Sequence, residues 1–144
     1  MASLNLEDQL CFAVYSTEHA FNRAYKPLLD PLGITYPQYL VLLVLWAEDN
    51  RTVSSIGKVL FLESSTLTPL LKRLQTQGLI TRVRDTADER QVRVRLTPAG
   101  KKLAQAARNV PKCMEQATGL PNDLLMRIKR DVEVLRGKLF AAVE

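Results

Sequence analysis

Apolar positions recur at helical spacing along most of the chain, in blocks separated by turn residues. The stretch "LEDQLCFAVYSTEHAFNRA" predicts a first helix over residues 6–24, with Asn5 as N-cap and Glu7 and Asp8 in its first turn. Pro27, Pro31 and Gly33 then interrupt the pattern. Thr35 and Gln38 form a capping-box pair around Pro37 and start a second helix that ends near Glu48. Its apolar residues lie almost all round, which predicts the most buried helix of the domain. The run "YLVLLVLWA" over residues 39–47 is about half a membrane span and reads as core.

Two short helices follow. Ser54 is the expected N-cap of one, with Ile56, Val59 and Leu60 on its apolar stripe. Ser64 or Ser65 is the expected cap of the other, with Leu67, Leu70, Leu71 and Leu74 on its stripe and Gly78 just beyond its end. A pair joined by a tight turn is a helix-turn-helix candidate, although many helical proteins contain one. "LITRVRDTADERQVRVRLT" then predicts two strands around a polar loop. Val92, Val94 and Leu96 alternate with Arg93 and Arg95 in the second strand.

A hairpin directly after a helix-turn-helix is the winged-helix arrangement. Thr97 and Pro98 predict the start of a further helix that reaches about residue 118 with a bend at Pro111. A last helix from Asn122 carries Leu125, Ile128, Val132, Leu135 and Leu139 on one stripe. The predicted fold is mainly α with a small β-hairpin wing, a winged helix-turn-helix with N- and C-terminal dimerisation helices. Residues 36–97 form the DNA-binding domain on this reading, and residues 1–35 with 98–144 the helical dimerisation region. The alternative is that the terminal helices merely cap the domain's own core.

A length of 144 residues suits one domain and is short for an elaborate enzyme. The net charge of +5 and pI near 9.4 point to a polyanionic partner. Residues 72–102 hold nine basic residues against three acidic ones, a net of +6 that exceeds the excess of the whole chain. Either this is a solvated basic face or it meets phosphates. On the second reading the recognition helix presents Ser64, Ser65, Thr66, Thr68 and Lys72 to double-stranded DNA, with Arg73 reaching the backbone. Arg90, near the hairpin tip, is placed for a minor groove, and Asp88 is placed to hold its guanidinium.

The N-terminus has neither a basic start nor a continuous apolar stretch, so a cytoplasmic protein without a membrane partner is expected. Two cysteines 102 positions apart are no structural disulfide framework in that compartment. With the single histidine, His19, they fall short of a zinc site, so neither metal nor cofactor is expected.

"DERQVRVRLTPAG" resembles the wing-to-helix signature of MarR-type winged-helix repressors, with Asp88, Arg90, Leu96, Thr97 and Gly100 in place. "QLCFAVY", "YKPLLDPLGITYPQYLVLLVLW" and "TLTPLLKRLQTQGLITR" resemble the organic-hydroperoxide-sensing OhrR branch of that family, of the two-cysteine type. The resemblance covers nearly the whole chain. It implies a redox-sensing repressor, not an enzyme, whose reduced homodimer binds palindromic operator DNA. It also implies that Cys11 is the peroxide-sensing thiol and that Tyr25 and Tyr36 hydrogen-bond its thiolate. Cys113 falls in the region of the resolving cysteine, which forms a disulfide to the other subunit.

Peroxide reacts with thiolate, so a sensing cysteine needs its anion stabilised. With a helix start at Leu6, Cys11 lies beyond the reach of the helix dipole, and Glu7 and Asp8 oppose a negative sulfur. Phenolic hydroxyls are the remaining source, and Tyr15, Tyr25, Tyr36 and Tyr39 all lie in the first third of the chain. Phe12, Phe21, Leu43 and Trp46, with Tyr15, are candidates to line an apolar peroxide pocket. A helical cysteine among apolar neighbours is otherwise inert core. A repressor released by a small phenolic or lipophilic ligand is the alternative within the same fold. A thiol peroxidase leaves the basic wing unexplained, and an architectural DNA binder lacks operator preference.

Overall fold

The computed structural model describes residues 3–144. Its helices are α1 (Leu10–Leu29), α2 (Tyr36–Ala47), α3 (Val53–Leu60), α4 (Ser64–Thr76), α5 (Pro98–Ala106), α6 (Val110–Thr118) and α7 (Asn122–Ala142). Three antiparallel strands, β1 (Arg51–Thr52), β2 (Ile80–Arg84) and β3 (Val92–Leu96), pair in the order β1-β3-β2. The chain divides into two units, the first ending at Val110 and the second spanning Pro111–Glu144.

The first helix starts later and ends later than the sequence pattern predicts. Ser3, Asn5 and Gln9 hydrogen-bond locally to Asp8 and to backbone carbonyls, which holds Leu6–Asp8 in a 3-10 turn. Gln9 is extended and becomes the N-cap, so α1 begins at Leu10. Pro27 does not break the helix; it sits in the last turns, where Leu29 packs fully into the core. Pro27 removes the bond that its N–H would make to the Arg23 carbonyl, and the packing of Leu29 works against that loss.

The capping box of α2 forms as expected: the Gln38 N–H donates to the Thr35 hydroxyl, and the Thr35 N–H donates to the Gln38 side-chain oxygen. Val41, Leu42 and Leu45 of this helix are fully buried, together with Leu29, Ile56, Leu67, Leu71, Leu74, Ile80 and Val94. Each such side chain contributes about 2 kcal/mol relative to exposure, which makes α2 and α4 the centre of the first unit's core. Val59, by contrast, is exposed, so the stripe of α3 is narrower than its spacing implies.

Two caps differ from expectation. Thr52, not Ser54, caps α3 by accepting the Ser55 N–H. Glu63 precedes α4, so Ser64 and Ser65 lie inside its first turn. The end of α4 follows the pattern: Gly78 takes φ 76°, and the Leu79 and Gly78 N–H groups donate to the carbonyls of Leu74 and Gln75. This turn feeds β2 directly.

The hairpin pairs Ile80 with Leu96 and Arg84 with Val92. The third strand, β1, adds to β3 through Arg51–Val94 and Thr52–Arg93, and two residues are too short to show alternation in the sequence. Thr97 caps α5, accepting the Gly100 N–H and donating to the Gly78 carbonyl. A side chain at position 100 would collide with the Leu79 carbonyl oxygen, its Cβ falling 2.1 Å away. The Trp46 indole N–H donates to the Gly100 carbonyl and ties α2 to the same point. In place of one bent helix over residues 98–118, α5 stops before Ala107 and α6 starts at Val110. Pro111 lacks the N–H needed to continue α5 and is tolerated in the first turn of α6.

In the second unit α7 runs for 21 residues with no fully buried side chain; Ile128, Val132 and Leu139 of its predicted stripe are exposed. α1 is likewise exposed at Leu10, Phe12, Val14 and Phe21. Among the described residues no single helix is long and apolar enough to cross a membrane.

Candidate nucleic-acid interface and thiol site

The start of α4 and the wing share one face. A groove of about 330 Å³ is lined by Thr52, Val53, Ser54, Ser64, Thr68, Arg82, Arg90, Gln91 and Val92. It gathers Ser64, Thr68 and Arg90, expected from the sequence to meet DNA, with Ser54, Arg82 and Gln91, which were not expected there. Arg82 lay in plain view in the basic count, but only the β2 register turns it toward α4, where its Nε donates to Gln75. The Thr68 hydroxyl donates to the Ser64 carbonyl and so faces the groove as an acceptor. Ser65 and Thr66 are exposed beside it. Lys72 and Arg73 belong to a separate groove with Gly33, Thr35, Gln38, Thr76 and Gln77.

The wing loop is ordered by two aspartates that each accept a backbone N–H two residues on, Ala87 for Asp85 and Arg90 for Asp88. Asp88 also grips the Arg90 side chain, with Nε at 3.1 Å and Nη2 at 3.5 Å from its carboxylate oxygens. The Arg90 side chain is itself 90% exposed, so the pair aims a guanidinium outward without burying it. Such an exposed pair adds little stability, and its effect is on direction. Asp85 is held below the usual carboxylate range, first by the Ala87 N–H and then by the Arg93 guanidinium.

The thiol site divides into two parts of α1. Cys11 is the second residue of the helix and is exposed, and its thiol is free. The late helix start therefore overturns the expectation that it lies beyond the reach of the dipole: it stands in the first turn of α1. Phe12 and Tyr15 line a shallow groove with Ser16, His19, Ala20 and Arg23, a lining that does not include Cys11, and the Tyr15 and His19 rings meet edge-on at 4.6 Å. Tyr25 and Tyr36 lie elsewhere. Their rings stack at 4.4 Å where α1 passes the start of α2, beside a cavity of about 200 Å³ that also takes in Asn22 and Lys26.

Tyr25 and Cys11 are 14 residues apart on one helix, a rise of ~21 Å, so they do not meet within a chain. Burial, and after it the neighbouring Tyr36 and Tyr39, push the Tyr25 phenol up to about 12. Tyr36 is raised by burial first and by the Glu18 carboxylate second. Both stay neutral hydrogen-bond donors across the physiological range. Of the proposed pocket residues Phe12 and Tyr15 share a groove, whereas Phe21 approaches Tyr25 and Trp46 packs against Tyr39 with its N–H used by Gly100. Leu43 is exposed on α2. Cys113 is a free, half-buried thiol on α6 of the second unit.

Residues 23–107 match the family model described as transcriptional regulator SarA/Rot. The chain is 47% identical to the HTH-type transcriptional regulator TtmR of Methylorubrum extorquens over 95% of its own length and 70% of that protein. It is 43% identical to the organic hydroperoxide resistance transcriptional regulator of Bacillus subtilis, covering 98% of this chain and 91% of that one. Among solved structures, reduced AbfR bound to DNA, from a protein of Staphylococcus epidermidis, superposes with a TM-score of 0.82 at 38% identity, over 96% of this chain and 95% of that one. AbfR with its disulfide formed gives 0.65 over 90% and 91%. A winged helix-turn-helix with a basic, groove-lined face, matched over nearly its full length by these regulators, identifies the chain as a member of the MarR family of winged-helix transcriptional regulators, of the SarA/Rot type.

Proposed function

We propose that this regulator is a peroxide-responsive repressor: its reduced homodimer holds a palindromic operator and releases it when an organic hydroperoxide oxidises Cys11. The observation that carries the reading is the exposed Cys11 in the first turn of α1, in a chain 43% identical to an organic hydroperoxide resistance regulator. The apolar side chains exposed on α1 and α7 are the surfaces that two copies would cover. Because Cys11 and the Tyr25–Tyr36 stack cannot meet in one chain, they meet across that dimer, where the two phenols donate to the sulfur.

The thiolate attacks one peroxide oxygen, the O–O bond breaks, and the alkoxide leaves and takes up a proton as an alcohol; Cys11 becomes a sulfenic acid. The Cys113 thiolate of the partner subunit then attacks that sulfur and water departs, leaving an intersubunit disulfide. A disulfide requires Cα atoms within about 7 Å, which fixes how the dimerisation helices must stand once it has formed. Half-sites lie about 34 Å apart in adjacent major grooves, so a helix shift of a few ångströms removes phosphate and base contacts together. Ser64, Ser65, Thr66, Thr68, Lys72, Arg73 and Arg90 supply those contacts, with Asp88 orienting Arg90. The protein acts on chromosomal DNA in the cytoplasm.

Cys11→Ser tests the reading. The variant should bind DNA as the wild type does and stay bound when cumene hydroperoxide is added. Normal release by the variant would overturn it. The cavity beside Tyr25, Lys26 and Tyr36 favours a second reading, release by a phenolic or lipophilic acid, and that reading predicts ligand-driven release regardless of Cys11.

A further inference from the structure

Arg93 counts among the basic residues of the wing, yet its side chain is engaged at two points inside the protein. Its Nε donates to Asp85 Oδ2 at 3.0 Å, and its Nη1 donates to the Asn50 carbonyl at 3.1 Å, across 43 residues of sequence. The Asp85 side chain is 12% exposed and the Arg93 side chain 36%, so the pair is partly shielded from solvent. Asp85 in turn accepts the Ala87 N–H and opens the wing loop, whose ends are joined by the Asp85 N–H donating to the Gln91 carbonyl.

At the other end, Asn50 sits in a left-handed turn at φ 60° just before β1. That turn is held from β3 as well. The Asn50 side-chain oxygen accepts from Arg95 Nε, and Asp49 accepts the Leu96 and Asn50 N–H groups. Arg93 thus bridges the wing loop to the turn that leads into β1 and α3. Without it, the loop beyond Asp85 is carried by the rungs of the β2–β3 ladder that extend past β1 and by Arg84 donating to the Glu89 carbonyl.

We propose that Arg93 is a positioning residue for DNA binding: through Asp85 and Asn50 it fixes the wing so that Arg90 is presented in one direction, and it is not itself a phosphate contact. The Ala87 N–H and then the Arg93 guanidinium hold the Asp85 carboxyl below the usual carboxylate range, in accord with a carboxylate that stays charged to hold this bridge. Preorganisation of this kind raises affinity by removing the cost of ordering a loop on binding.

The test measures affinity against salt concentration for a duplex selected by the wild-type protein from a randomised pool. Arg93→Ala should lose about tenfold in affinity while the slope of log K against log salt stays at the wild-type value. Arg93→Lys should be equally weak, because an ammonium cannot span two acceptors in a fork. Asp85→Ala should also weaken binding, and the double variant should lose no more than either single one. A phosphate contact predicts the opposite pattern: a slope reduced by roughly 0.9 in Arg93→Ala, rescue by Lys, and tighter binding once the acid at position 85 is gone. Any of those three results, or unchanged affinity in Arg93→Ala, overturns the proposal. Since Asp85→Ala differs in sign between the two accounts, the test survives even if one Arg93 variant folds poorly.

Discussion

Tyr25 and Tyr36 stack with ring centroids 4.4 Å apart, joining the last turns of α1 to the first turn of α2. Burial of both rings, with Tyr36 and Tyr39 beside Tyr25 and the Glu18 carboxylate near Tyr36, keeps the phenols protonated past their ordinary range. Ionisation of Tyr25, followed at 295 nm as the difference between wild type and Tyr25→Phe, should show a midpoint near pH 12. The folded chain holds this proton more tightly than the unfolded chain. Stability is therefore untouched below pH 10 and falls as the pH climbs from about 10 toward 12. A difference midpoint at the free-tyrosine value would mean that the stack does not shield the phenol.

Gly100 faces the Leu79 carbonyl too closely for any side chain. Both atoms belong to backbone held by Thr97, whose N–H donates to Leu79 and whose hydroxyl donates to Gly78. Neither can shift cheaply, so Gly100→Ala should lower stability by about 3 kcal/mol. Urea unfolding checks this directly; an unchanged midpoint would show that the α5–β2 contact is looser than its geometry.

The same corner shows what the sequence makes legible. Thr97, Pro98 and Gly100 announce a helix start, and Thr35 with Gln38 announces another, because caps are local and their partners lie three residues away. The late start of α1 is not local in that sense. Asn5 is as good an N-cap as Gln9 until Asp8 and Gln9 are seen to bind Ser3 and Asn5. Likewise, Arg93 and Arg90 read alike as wing arginines. Only the pairing of β1 with β3 brings Asn50 to Arg93 and separates a braced residue from an exposed one. On the thiol side, composition and position find Cys11 and the tyrosines, but helix rise shows that they belong to different ends of α1.

Gln38 is a buried polar side chain whose bonds are all internal. Beyond its cap to Thr35, its amide donates to Gln77 just past α4, and Gln77 donates to the Gly33 carbonyl. Gln38→Leu should cost about 2 kcal/mol, since it removes the reciprocal half of the capping box, leaves the Thr35 N–H without its acceptor and breaks the link to Gln77. Gln77→Ala, at an exposed position, should cost less than about 1 kcal/mol. Equal losses would mean that the link between α2 and α4, rather than the cap, holds the energy.

Separation of Cys11 from Tyr25 along α1 makes a dimer test possible. In a mixture of Cys11→Ser chains with Tyr25→Phe chains, each homodimer lacks one essential group at both sites. A heterodimer whose sites are shared between subunits has one site with both groups absent and one with both present. Its remaining Cys11, on the Tyr25→Phe chain, faces the intact Tyr25 of the other chain. Dimedone trapping of the sulfenic acid after cumene hydroperoxide should therefore be roughly tenfold faster in heterodimers than in Tyr25→Phe homodimers, as a hydrogen bond to a charged sulfur implies. Isolating the heterodimer through two different affinity tags gives the rate without contamination. If it oxidises as slowly as the Tyr25→Phe homodimer, Tyr25 does not reach the sulfur from across the dimer, and the rise of α1 leaves no route within a chain.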